Sequence, residues 1–193
     1  MGLFDKLKKQ ATDTVSQVAK NITTGSNKSV SVVFASMPET LAEFQALPQA
    51  AMQTPFDTAA MLVAALCVYP LDKDISVAMI NYLKGPAPLS AYDISFMKDR
   101  MAQNNKVGFI GAYYFNGATP QNEYAPTAPY TVVVSENPYS YQETGYAVMW
   151  IKSGGADNPR QVKMRQAKDG KWYLWEHMLL GDIRMPESTN PWA

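Results

Sequence analysis

Apolar side chains at Leu3, Leu7, Ala11, Val15, Val18 and Ile22 fall four, four, four, three and four residues apart, which draws one stripe along a helix. Lys6, Lys8, Lys9 and Lys20 lie off that stripe, so the expected helix is amphipathic and basic. The polar stretch TTGSNKS follows it. A flexible linker there separates residues 1–26 from residues 27–193, which the pattern assigns to a single α+β domain.

Helical signals occupy residues 36–104. Ser36 with Glu39, Thr54 with Asp57, and Ser90 with Asp93 each place a hydroxyl at a helix start and a carboxylate three residues on, where both satisfy free backbone N–H groups. Pro38 and Pro55 then fall in first turns, which tolerate proline. A further helix is predicted from about Lys73 to Lys84, with Ile75, Met79, Ile80 and Leu83 on one side and Gly85-Pro86 as its stop. The all-apolar AAMLVAALCVY is expected to be the central, most buried helix.

From about Val107 the period changes to two, and a sheet is expected over 107–178, with YTVVVS, GYAVMWIKS, RQVKMRQA and KWYLWEH as strands and FNGATPQNEYAPTAPY as loop. The fold class is therefore α+β: a helical layer followed by an antiparallel sheet of four or more strands, with an N-terminal amphipathic helix. Asp169-Gly170 predicts a two-residue type I′ turn, which pairs residues whose numbers sum to 339. That register puts Val162, Met164, Gln166, Tyr173, Trp175 and His177 on a core face. It puts Lys163, Arg165, Ala167, Trp172, Leu174 and Glu176 on the other, with Lys163 opposite Glu176 and Arg165 diagonal to Trp172 for a cation–π contact. YAVMWI is apolar throughout, which implies cover on both faces.

Charge narrows the function classes. Seventeen basic residues balance seventeen acidic ones, so no global field recruits nucleic acid. The start MGLFDKLKKQ has no apolar signal core, and the run Ala59 to Leu71 is too short to span a bilayer, so the chain reads as cytoplasmic. Cys67, alone in an apolar run, reads as an inert buried thiol. His177 has no second histidine to join it, and no familiar phosphate, dinucleotide, zinc or esterase motif occurs, so no catalytic residue, metal or cofactor is expected. In SGGADNPR, Asp157 and Arg160 predict a clasp across a strand connection.

The leading functional expectation is a non-enzymatic interaction or binding module. Its candidate surface is the second sheet face, bearing Lys163, Arg165, Trp172, Leu174 and Glu176, and its partner is another protein or a second copy of the chain. Residues 3–22 are expected to dock on their own domain or a sister chain, ahead of a membrane surface. A small-molecule binder with an apolar pocket between helices and sheet ranks next, and an enzyme last.

Several stretches together, among them TPFDTAAMLVAALCVYP, INYLKGPAPLSAYD, FMKDRM, YYFNGATPQNEYAPTAPYTV, SGGADNPR, WYLWEH and the terminal NPWA, resemble a family of small bacterial proteins of the anaerobic, gut-type Firmicutes known only as a domain of unknown function. The resemblance covers about Thr54 to Ala193 and implies a bacterial cytosolic protein; it supplies no activity and no site residue. A looser likeness is to the cone-shaped fold of nuclear transport factor two and the ketosteroid isomerases, in which helices and a curved sheet enclose an apolar pocket. This chain departs from that fold in carrying more helix before the sheet and no Asp base aligned with a Tyr donor.

Overall fold

The computed structural model describes residues 27–189 and Trp192, so the helix expected over residues 3–22 lies outside the described residues. Within them the chain is α+β. A five-stranded antiparallel sheet in the order β1-β2-β3-β4-β5 carries helices on one face, with β1 (Ser29–Phe34), β2 (Tyr130–Ser135), β3 (Tyr146–Ile151), β4 (Arg160–Gln166) and β5 (Trp172–His177). The helices are α1 (Leu41–Ala46), α2 (Pro55–Val68), α3 (Lys73–Lys84) and α4 (Ala91–Ala102).

β1 is the strand that the sequence reading passed over. SVSVVF alternates as a half-buried strand should, with Val32 and Phe34 inward, and it pairs with β2 from Ser29↔Ser135 to Phe34↔Tyr130. Its partner lies about a hundred residues away, at a distance where local patterning carries no information.

α1 begins four residues later than expected. Pro38 disfavours helical geometry at Met37, so a helix cannot start at Ser36; Thr40 caps instead, accepting from the Glu43 N–H while the Glu43 carboxylate accepts from the Thr40 N–H. The other two capping boxes stand where the spacing placed them, at Thr54 with Asp57 and at Ser90 with Asp93.

Twelve of the fourteen residues of α2 are buried, and the helix touches all five strands. Buried hydroxyls are satisfied across its packing contacts: the Thr58 hydroxyl donates to the Trp172 carbonyl at 2.6 Å, and Ser76 of α3 donates to the Ala65 carbonyl of α2 at 2.8 Å. α3 is amphipathic, burying Ser76, Met79, Ile80 and Leu83, and it ends at Gly85 in the left-handed region (φ 57°). α4 buries only Met97 and Met101. It stands off the core.

The sheet does not begin at Val107. Residues 103–122 instead form short 3₁₀ turns, and Tyr113, Tyr114 and Tyr124 from this region fill the core with hydroxyls donating to carbonyls: Tyr113 and Tyr114 to Leu179 (3.1 and 2.8 Å), Tyr124 to Arg184 (2.6 Å). Aromatic content alone imitates a strand signal here. The geometry is that of a chain threaded close to α2, with tyrosine tips finding local acceptors.

At the hairpin the turn is one residue longer than predicted. Ala167 N–H donates to the Lys171 carbonyl (2.9 Å), Gly170 N–H donates to the Ala167 carbonyl (3.0 Å), and Gly170 takes φ 82° at the end of the loop. The register near the turn is therefore Gln166↔Trp172, Arg165↔Tyr173 and Met164↔Leu174. An irregularity between Lys163 and Met164 then leaves Trp175 as the extra residue and returns the pairing to Lys163↔Glu176 and Val162↔His177.

Candidate functional site

The longer turn exchanges the faces of β5 near the loop. Trp172 and Leu174, expected on the outer face beside Lys163 and Arg165, point into the core at 2% and 3% exposure, while Tyr173 and Trp175 turn outward. The five candidate surface residues thus do not share a face. Lys163, Arg165 and Glu176 lie outside. The Trp172 indole N–H is buried without a hydrogen-bond partner.

Arg165 finds other rings than the Trp172 expected for it. Its guanidinium carbon lies 5.5 Å from the Tyr146 ring centre and 5.2 Å from that of Trp175, and Lys163 Nζ lies 4.6 Å from Tyr146 while pairing with Glu143 at 2.7 Å. Tyr146 and Trp175 meet edge to face at 5.6 Å. Of YAVMWI, Ala147, Met149 and Ile151 are buried by the helices, and Tyr146, Val148 and Trp150 are half-buried on the other side. The outer cover here is a layer of cross-strand side chains.

The clasp expected between Asp157 and Arg160 is also remade. Asp157 pairs with Arg184, whereas Arg160 Nη2 donates to the Asp182 carbonyl at 2.7 Å. The glycine pair of SGGAD serves packing. A Cβ on Gly154 would lie 1.7 Å from the Ala118 carbonyl oxygen, so SGGAD and FNGATPQNEY are pressed together at one end of the sheet.

The opening that these rearrangements produce lies where α3, α4 and the end of β5 meet. It is a cleft of about 480 Å³ lined by Ile80, Lys84, Leu89, Asp93, Phe96, Met97, Arg100, Arg160, Leu174, Trp175, Glu176, His177, Met178, Leu180 and Gly181. Each wall has a local cause. α3 stops at Gly85, the prolines at 86 and 88 redirect the chain, and α4 follows from Ala91 with only Met97 and Met101 buried. The extra residue in β5 places Trp175 and Glu176 outward in succession and sends His177 back to the inner side. A second pocket of about 290 Å³ lies beyond Lys84, against Pro86, Arg165 and Tyr173.

Within the cleft His177 Nδ1 accepts the Leu179 N–H at 3.3 Å, which fixes Nε2 as the protonated nitrogen of a neutral ring. Desolvation, helped by the nearby Lys84 charge, pulls the imidazole down to about 4. At neutral pH it is an uncharged donor. Lys84 donates to the Trp175 carbonyl at 3.1 Å, and Arg100 donates to Gln103 at 3.3 Å with its guanidinium 5.1 Å from the Phe96 ring centre. Arg160 Nε is buried with no partner. Sequence reasoning named His177 and Glu176 but not Lys84, Arg100 or Phe96, which come from helices whose outward residues carry no motif.

Cys67 is held inert: burial pushes its thiol up to about 12. Among the described residues no helix is long and apolar enough to cross a membrane, and no group of three His, Cys, Asp or Glu side chains is placed to hold a metal.

An antiparallel sheet with helices on one face and a cleft at the helix–strand junction defines an α+β protein. The chain belongs to the family described as Domain of unknown function (DUF6935), which matches residues 36–187. Neither a curated protein nor a solved structure matches it.

Proposed function

We propose that this protein is a non-enzymatic binding module that holds a small molecule in the cleft between α3, α4 and β5. The observation that supports it best is the cleft itself: about 480 Å³, largely apolar, with a few fixed polar groups converging on it, the composition and size of small-molecule sites. His177 favours binding over proton transfer. It accepts the Leu179 N–H, no carboxylate or hydroxyl among the described residues orients it, and a ring at about 4 is a weak base at neutral pH.

The test is amide chemical-shift mapping with a library of small metabolites. Residues 174–181 and α4 are expected to shift together, and a bound ligand at a hundred times its dissociation constant raises stability by about 2.7 kcal/mol. Shifts that map elsewhere, or none at all, would sink this reading.

A second reading rests on α4, which exposes Tyr92 (77%), Ile94 (38%) and Phe96 (44%), Tyr92 stacked on Phe96 at the rim of the cleft, apolar surface suited to a protein partner or a second copy. Light scattering of the full chain against a Tyr92→Ser/Ile94→Ser variant decides it. A monomer in both cases removes self-association.

A further inference from the structure

We infer that the ligand of this cleft is a carboxylate with an apolar tail, an inference that rests on the binding reading above. The walls are not charge-neutral although the whole chain is: Lys84, Arg100 and Arg160 face Asp93 and Glu176, an excess of one positive charge, which matches a monoanion. Asp93 is already engaged, and Glu176 points outward. Asp93 accepts the Ser90 N–H and hydroxyl at 2.9 and 2.8 Å to start α4, and Glu176 lies across the strand from Lys163 on the outer face.

The three cations donate their hydrogen bonds to neutral acceptors, and Lys84 also interacts electrostatically with Asp93. Lys84 holds the Trp175 carbonyl, Arg100 holds Gln103, and Arg160 holds the Asp182 carbonyl, whereas Lys163 and Arg184 outside the cleft pair with Glu143 and Asp157. Arg160 is the most under-satisfied. Its Nε–H is buried without an acceptor, and a planar guanidinium with free donors matches a carboxylate in shape as well as charge. Gly181 backs the guanidinium closely enough that a Cβ there would lie 3.1 Å from Arg160 Cζ. The neutral His177 adds a donor without adding charge, so an acid head group at this end meets charge and hydrogen bonds together. Ile80, Leu89, Phe96, Met97, Leu174 and Leu180 supply the apolar wall for the tail.

The experiment is calorimetric titration of the full chain, below micellar concentrations and at low salt, with three probes that share one tail: decanoate, decanol and decyltrimethylammonium. Decanoate is expected to bind at least about tenfold more tightly than the other two, because a bidentate ion pair with a guanidinium forms only with it. Arg160→Gln should remove that preference, lowering decanoate affinity far more than decanol affinity. Lys84→Gln, at the half-buried end of α3, should reduce it as well. Equal affinity for decanoate and decanol, or a preference that survives both substitutions, overturns the carboxylate inference and leaves the binding reading standing. A preference for the cation overturns it as well. Binding of none of the three overturns the inference, and when no small molecule shifts the cleft amides either, the binding reading falls with it.

Discussion

The outer face of the β4–β5 hairpin and the cleft at the end of β5 treat similar residues in opposite ways. Outside, Arg165 lies against Tyr146 and Trp175, and Lys163 is held by Glu143 over the same tyrosine, so each cation has an internal partner. Inside, Lys84, Arg100 and Arg160 spend their donors on neutral acceptors and leave one buried N–H unmatched. A face that satisfies its own charges gains little by meeting a partner, because every new contact must first break an existing one. A cleft with spare donors and apolar walls gains from both.

The largest expected effect comes from treating the two tryptophans of β5 alike. Trp172 fills the core and Trp175 is 39% exposed, so Trp172→Ala should cost about 3–5 kcal/mol of folding stability and Trp175→Ala about 1 kcal/mol, read by chemical denaturation. Reversed costs would mean that the register near the turn is the one with the two-residue loop, and equal costs would remove the contrast between the faces.

That register marks the boundary of what the sequence made legible. α2 was readable because an all-apolar run has one stable destination, and the caps at Thr54 and Ser90 because their partners stand three residues away. The Asp-Gly turn was recognised but not its length, and one residue of error exchanged Trp172 and Leu174 with Tyr173. β1 left a local trace in the alternation of SVSVVF, but its partner lies beyond any window. The cleft could not be read from the sequence, because its cations come from α3, α4 and β4 and no spacing relates them; Arg160 was visible only as half of a clasp with Asp157 that Arg184 in fact completes.

The cleft also carries a pH signature that the outer face lacks. The His177 imidazole falls from 6.5 to about 4 on folding, so the unfolded chain binds the proton first, and stability present above about pH 6.5 is lost as pH falls toward 4. The loss from this one group is about 3 kcal/mol at most and stops below pH 4. Urea denaturation at several pH values should show this slope in the native protein and a flatter one in His177→Gln. Equal slopes would place the ring in solvent and open the cleft further than described.

Gly170 ranks next. Its φ of 82° ends the three-residue loop, and an alanine in left-handed geometry costs about 1–2 kcal/mol. Gly170→Ala should lower stability by that amount. Since a slip of the register would move Trp172 outward, the same variant should also raise intrinsic tryptophan quenching by iodide; a stable variant with unchanged quenching would show that the inner and outer faces are fixed by core packing and not by the turn.

Arg165→Gln should have the smallest effect and decides the most about the contrast. The side chain makes two ring contacts on the outer face, each worth about 0.5–1 kcal/mol where exposed, so the total loss should be about 1 kcal/mol. Arg165 borders the second pocket but not the larger cleft, so decanoate affinity should not change. If it falls as far as it does in Lys84→Gln, the ligand passes Lys84 into the second pocket, and the two sides of the hairpin act as one binding surface across α3. If it holds, the outer cations belong to the fold alone, and the spare donors of the cleft are what this protein presents to its ligand.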